Sequence, residues 1–359
     1  MARIDKFLKA VRDYDGSDLH ILAGTVPKIR IHGRLRPLNL PAMTDDQTRS
    51  LLYEILDSEK SRRFEKNKEI DFAYEVGGLA RFRVNYFLHK DGMGGVFRLI
   101  PVKIRTLEEL NIPTVVESFC HLRSGLVLVT GPTGSGKSTT LAALIDYINR
   151  NFSKHVITIE DPIEYVHSDK RSVITQRELH RDTPSFADAL REAARQDPDV
   201  ILVGEMRDLE TMRLAISLAE MGFLVFATLH TNTAAKTIDR IINVFPPEQQ
   251  PQIRTMLSYS LKGVLSQTLI PRADGKGRVP ACEILFWTLG LPNIIREGRV
   301  DKIVSEIEAG RGRGMQKMDD SVIALYKRGL ITPYDAYMKV LDKKRFERIL
   351  EKEGKKVAW

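Results

Sequence analysis

The chain has 359 residues, 43% of them hydrophobic and 28% charged, the composition of a folded protein of two or three domains. No apolar run approaches the ~18 residues needed to span a bilayer, and the N-terminal MARIDKFLKAVRDYDGSDLH carries acids where a signal peptide needs an apolar segment. The net charge of +8 admits nucleic acid, anionic lipid or an acidic protein as partner, and equally a generally basic surface, because no Lys/Arg block exceeds three residues.

In chain order, the first stretch predicts a helix of about 17 residues ending near Gly16. KIRIHGRLRP alternates charged and apolar residues as a half-buried strand does. Thr44 caps an amphipathic helix whose apolar positions are Leu51, Leu52, Ile55 and Leu56 and whose pattern runs on to Asn67. Three strand-like runs follow, IDFAYEV, RFRVNYFLHK and GGVFRLIP, separated by Gly77-Gly78 and by DGMGG, which predicts an antiparallel meander. These elements make an α+β domain over residues 1–104, followed by a linker at 105–118.

From residue 119 the rhythm becomes strand, loop, helix. GLVLVT, HVITI, DVILVG and GFLVFATL read as strands; KSTTLAALIDYINRN, TPSFADALREAARQ, LETMRLAISLAEMG and TAAKTIDRIINVF read as helices. That alternation predicts an α/β domain over 119–290, with a mainly parallel sheet covered by helices on both faces. Residues 291–359 read as a helical C-terminal region containing the Gly/Arg-rich stretch AGRGRGMQ. Cys120 and Cys282 are too few and too far apart for a zinc site or a disulfide framework, and read as inert core residues in a reducing, cytoplasmic compartment.

One strand opens directly into a phosphate loop, GPTGSGKST, comprising Gly131, Pro132, Thr133, Gly134, Ser135, Gly136, Lys137, Ser138 and Thr139. Strand before and helix after are the context this motif requires. Its glycines let backbone N–H groups converge on an anion, and the helix N-terminus adds positive potential. Lys137 is positioned for the β- and γ-phosphates of ATP and Ser138 for Mg²⁺. The loop by itself does not say what the nucleotide is used for.

In an open parallel sheet, ligands collect at the carboxyl ends of the strands. DPDVILVGEMRD places Glu205 at that end, as a carboxylate for Mg²⁺, and Asp199 at the other. LHTNTAAKTIDRI places Thr228, His230, Thr231 and Asn232 at the next strand end, where His230 is suited to sense the γ-phosphate. In ITIEDPIEYVH the chain must turn at Pro162, which projects Glu160, Asp161 and Glu164 toward the nucleotide. A carboxylate there can orient and deprotonate the attacking water; Glu164 is the first candidate and Glu160 the alternate. Transition-state charge also calls for arginine. Arg195 and Arg207 are available in the core, and Arg81, Arg83 and Arg98 in the N-terminal strands, where Arg81 and Arg83 share one face.

Together the four signatures GPTGSGKST, TIEDPIEYVH, DVILVGEMRD and FATLHTNTAAKTIDRI, in that order, resemble the secretion ATPase superfamily, and within it the pilus-retraction branch. GSDLHI and RGRGMQKMDDSV also resemble that branch, and the likeness covers nearly the whole chain. The resemblance implies a PAS-like N-terminal domain, a RecA-like ATPase domain and a homo-hexameric ring. It also implies that Arg81, Arg83 and Arg98 reach the nucleotide, partly in trans. The implied partner is an inner-membrane pilus platform protein, which would hold the ring at the inner face of the cytoplasmic membrane, with no nucleic acid involved. The extension branch carries a further N-terminal domain and commonly a four-cysteine zinc site, and neither is found in this sequence. GLPNIIRE matches the branch's C-terminal motif at Asn293, Ile295, Arg296 and Glu297 and departs from it at Gly290 and Pro292, which leaves a divergent paralogue regulating assembly open. Also open are a RecA-like nucleic-acid motor, disfavoured by 7% aromatic content and no basic-aromatic platform in the sequence, and an ATP-binding regulator without turnover.

Overall fold

The structure is a computed structural model that describes residues 2–31, 34–77, 80–100 and 104–354. Two compact units make it up: Met1–Lys103 with Pro162–Val166, and Ile104–Asp161 with His167–Trp359.

The N-terminal unit begins with α1 (Ile4–Asp13). This helix is shorter than its apolar pattern predicts, because Asp15 takes a left-handed φ of 51° and turns the chain into a strand, β1 (Gly16–Leu22). The alternating stretch after it forms two strands, β2 (Lys28–Ile31) and β3 (Arg34–Pro37), paired with each other. The connecting His32 and Gly33 lie outside the described residues.

The amphipathic helix is likewise divided into α2 (Asp45–Leu52), a 3₁₀ turn (Tyr53–Ile55) and α3 (Ser58–Asn67). Thr44 and Gln47 form a capping box on α2. Asp57 starts α3 afresh, its extended backbone letting the carboxylate accept from the N–H groups of Glu59 (3.1 Å) and Lys60 (2.8 Å). A side-chain cap of this kind outcompetes helix continuation.

Strands β4 (Glu69–Val76), β5 (Ala80–His89) and β6 (Gly92–Ile100) form the antiparallel meander. Gly78 of the first glycine turn lies outside the described residues. The six strands run β3-β2-β1-β6-β5-β4. One sheet face packs on the helices, with Tyr86 edge-on to Phe64, Phe72 and Phe97 at ring-centroid distances of 6.4, 5.2 and 5.8 Å.

The second unit opens with a 3₁₀ helix (Thr114–His121) and then alternates: β7 (Gly125–Thr130), α4 (Lys137–Asn151), β8 (His155–Glu160), β9 (Val173–Glu178), α5 (Phe186–Ala193), β10 (Val200–Val203), α6 (Leu209–Glu220), β11 (Leu224–Leu229), α7 (Ala234–Asn243) and α8 (Gln250–Ser260). A hairpin follows, β12 (Leu261–Pro271) with β13 (Arg278–Phe286). The helices α9 (Leu291–Arg296), α10 (Ile303–Ala309), α11 (Met318–Lys327), α12 (Pro333–Lys339) and α13 (Lys343–Lys352) complete the unit. The Gly/Arg-rich stretch is a 3₁₀ turn at Arg311–Arg313.

The sheet runs β13-β12-β7-β11-β10-β8-β9 and is parallel except for β13. Every residue of β7, β10 and β11 is buried. Leu126 and Leu128 join the core on one face, Val127 and Val129 that on the other, as period-two alternation between two helix layers requires. β9 and β12 are not among the strands that apolar runs mark: β9 is a half-exposed polar edge, and β12 is interrupted by Lys262, Gly263, Ser266 and Gln267. Both cysteines are buried, and burial pushes the Cys282 thiol up to about 12.

Candidate functional site

β7 ends at Thr130 and the phosphate loop follows it. Gly131, Gly134 and Gly136 hold φ values of 148°, 76° and 88°, the region open to glycine at no steric cost. α4 then begins at Lys137 with no side-chain cap, so the positive end of its dipole faces the loop, where an anion can meet it. Lys137, 9% exposed, folds back over the loop, its Nζ donating to the carbonyls of Gly131 (2.9 Å) and Pro132 (3.2 Å). Half-buried Ser138 is next in the helix's first turn. Uncapped helix, glycine nest and buried ammonium are the features that nucleotide phosphates fit.

The neighbouring strand ends converge on that lysine. His230, just past β11, lies with Nδ1 3.5 Å from Lys137 Nζ and Nε2 2.9 Å from Glu205 Oε1. Glu205, two residues past β10, also accepts from Arg207 Nε at 2.9 Å. Arg207 reaches on to Asp161 at 3.7 Å. Lysine, histidine, glutamate, arginine and aspartate thus form a chain across the ends of β7, β11, β10 and β8. Backbone ties hold those ends in step: Gly204 N–H donates to the Ile159 carbonyl (2.8 Å) and Met206 N–H to the Thr228 carbonyl (3.1 Å). Ser138 and Glu205 are hard oxygen donors, the type Mg²⁺ takes. Among the described residues, no cluster of three or more His, Cys, Asp or Glu side chains could cage a metal without added ligands.

Glu160 ends β8 half-buried, accepting from Thr158 Oγ1 (2.7 Å) and Gln176 Nε2 (3.2 Å). Asp199 accepts from His155 N–H at 2.8 Å, at the opposite end of β8. Arg195 pairs with Glu192 at 3.3 Å, outside the chain around Lys137. Glu164 is exposed in Pro162–Val166, a segment compact with the N-terminal unit, where Ile163 is buried.

Within the N-terminal unit, Arg81 and Arg83 lie on the outward face of β5, alternating with the buried Ala80, Phe82 and Val84. Arg98 stands opposite Arg83 in the ladder, and Asp18 opposite Arg98. Arg98 Nε donates to Asp18 at 2.9 Å, Arg30 lies 3.7 Å from the same carboxylate, and Arg83 is 3.5 Å from Asp71. Burial pushes the Asp18 carboxyl up, but hydrogen bonds from Ser17 and Arg98 outweigh it and hold the group below its ordinary range.

Sequence reasoning misses two buried polar residues. Gln267 on β12 donates to the Ser135 carbonyl (2.7 Å) and accepts from Thr140 (2.9 Å). Glu283 on β13 accepts from Ala234 N–H (2.8 Å), capping the helix that follows His230, and burial holds its carboxyl above the usual range. The available signal is weak: single polar residues inside apolar strand runs.

A glycine loop and uncapped helix at the carboxyl edge of a parallel sheet define a phosphate-loop nucleotide-binding protein. The chain matches the Type II/IV secretion system protein family over residues 3–318, and it belongs to that family. It is 52% identical over 320 residues to a type IV pilus retraction ATPase, PilT, of Pseudomonas aeruginosa, covering 89% of this chain and 93% of that one. It is 49% identical over 312 residues to a twitching motility protein of Neisseria gonorrhoeae, covering 87% of this chain and 83% of that one. Among solved structures, the pilus retraction motor PilT with bound ADP superposes with a TM-score of 0.90 at 45% identity, covering 97% of this chain and 99% of that one.

Proposed function

We propose that this chain is a Mg²⁺-dependent ATPase that hydrolyses ATP to ADP and phosphate and, as a homo-hexameric ring, powers type IV pilus retraction. The observation that carries the reading is the phosphate loop closed by Lys137 and joined through His230, Glu205 and Arg207 to Asp161. Relatives of this length and identity named for pilus retraction and twitching motility support the motor role.

The backbone N–H groups from Gly131 to Thr139 hold the phosphates, and Lys137 leaves its loop carbonyls for the γ-phosphate. Bound Mg²⁺ supplies charge neutralisation on the phosphates, with Ser138 and Glu205 as the residues that hold it. His230 contacts both Lys137 and Glu205, so a change at either is felt at the start of α7. Glu164 activates the water, with Glu160 as alternate; Arg81, Arg83 and Arg98 stabilise the transition state, partly from a neighbouring protomer. The ring works in the cytoplasm at the inner face of the membrane, held there by a pilus platform protein.

Phosphate release separates a motor from a silent nucleotide binder. Glu164→Gln is expected to keep ATP binding and lose about a hundredfold or more of turnover; near-normal turnover transfers the role to Glu160. Deleting the gene is expected to leave abundant pili without twitching, whereas absent pili would mean an extension motor. Strong stimulation of turnover by single-stranded DNA would favour the nucleic-acid motor.

A further inference from the structure

β12 lies beside β7 in parallel, with Ser266 opposite Thr130. β7 stops there, but β12 runs on to Pro271. The next residue of β12, Gln267, therefore stands alongside the phosphate loop as the loop leaves its strand. Three contacts follow. A Cβ on Gly131 would sit 2.2 Å from the Gln267 carbonyl oxygen, so only glycine fits where the loop begins. Gln267 Nε2 donates to the Ser135 carbonyl at 2.7 Å. Thr140 Oγ1, from the first turn of α4, donates to Gln267 Oε1 at 2.9 Å. Gln267 and Thr140 are each 2% exposed, so neither bond can be exchanged for water without opening the core.

From this geometry we infer that Gln267 is a positioning residue for nucleotide phosphates, acting through the Ser135–Gly136 peptide. In a trans peptide the C=O and N–H point in opposite directions. Anchoring the Ser135 carbonyl on β12 thus turns the Gly136 N–H away from β12, in the loop whose N–H groups meet the phosphates. The Thr140 hydroxyl fixes which end of the amide is the donor. Without it the carboxamide can rotate and present an oxygen to the Ser135 carbonyl. Gly136 needs this hold because its φ of 88° is one of many that glycine can adopt. Lys137 braces the loop at Gly131 and Pro132 and leaves it when phosphates bind; Gln267 braces the far side and remains.

The inference rests on the proposed nucleotide site, and the experiment separates the two. ADP affinity, by equilibrium titration with a fluorescent ADP analogue, and steady-state ATP hydrolysis are measured on the full chain carrying Gln267→Met, which keeps length and volume but makes neither bond. Thr140→Val is measured beside it as an isosteric change in a second element that removes only the amide's orienting bond. Gln267→Met is expected to weaken ADP binding and raise KM for ATP by about fivefold to tenfold, with kcat within about twofold, as loss of uniform binding demands. Thr140→Val is expected to move the same two quantities by about threefold. A merely structural glutamine would lower the melting temperature and leave KM and ADP affinity alone, and that result in either variant overturns the inference. Failure of the unsubstituted protein to bind the ADP analogue would overturn the nucleotide site itself.

Discussion

The two sheets of this protein handle charge in opposite ways. In the N-terminal sheet, side chains alternate between a buried aromatic face and an open one, so Arg83, Arg98, Asp18 and Arg30 sit in mid-strand on the outward face. In the parallel sheet, helices cover both faces, every residue of the central strands β7, β10 and β11 is buried, and along those three strands charged groups begin only past the strand ends. Burying an unpaired charge inside that sheet would cost several kcal/mol. The charged groups around the phosphate loop therefore gather at one edge, where His230 touches both Lys137 and Glu205. The open sheet can place arginines along whole strands, but each side chain needs a local partner to hold its direction.

The sharpest test of the edge is Lys137→Ala. It removes the ammonium that closes the loop, and is expected to abolish turnover and weaken ATP binding by about a hundredfold, on the order of 3 kcal/mol. Retained turnover would show that the converging strand ends work without it.

A smaller effect tests the open face. Arg98→Ala in the intact assembly is expected to lower turnover about tenfold or more, as loss of a transition-state cation does. Asp18→Asn removes the ion pair but keeps Arg98, and is expected to lower turnover less than about threefold. Equal losses from both would mean that the pair only stabilises the sheet.

The next expectation concerns pH. Desolvation presses the His167 imidazole down to about 4; Asp146 opposes this and Lys170 adds to it. A folded-state value below the unfolded one, about 6.5, means that the histidine's contribution is full above about 6.5 and is lost as pH falls toward about 4. In melting curves from pH 7 to 4, His167→Gln is expected to lose less stability than the unsubstituted chain. An identical pH profile would show that His167 ionises in the folded state without cost.

The smallest expected change is none. Burial holds Cys282 far from its thiolate, so iodoacetamide at pH 8 is expected to leave it unmodified until the chain unfolds. Rapid labelling would reveal that the β12–β13 hairpin opens.

How legible the molecule is in its sequence follows from the range of the forces involved. Helix α4 begins and ends where KSTTLAALIDYINRN does, because a glycine turn, a helical stretch and the switch to extended backbone at Phe152 are all local. The division of 44–67 at Asp57 is harder to read although its cause is local too: a capping aspartate competes with an amphipathic pattern that continues across it. β9 and β12 escape because a polar edge strand and an interrupted strand have no apolar run to announce them. Thr44 and the meander are readable from spacing alone, and the four signatures from their resemblance to a family's motifs.

By itself the sequence determined the fold class, the phosphate loop, the strand ends that lie beside it and the family. The first three depend on neighbours within a few positions, where backbone sterics and side-chain period decide the outcome; the family rests on the resemblance of whole motifs in order. Only the tertiary structure decided that Glu205 lies between His230 and Arg207, that Arg98 is held by Asp18, and that Gln267 braces a loop more than a hundred residues away from it. Those contacts depend on strand order and on where β12 outruns β7, and strand order is settled by packing across the whole sheet, which no local spacing records.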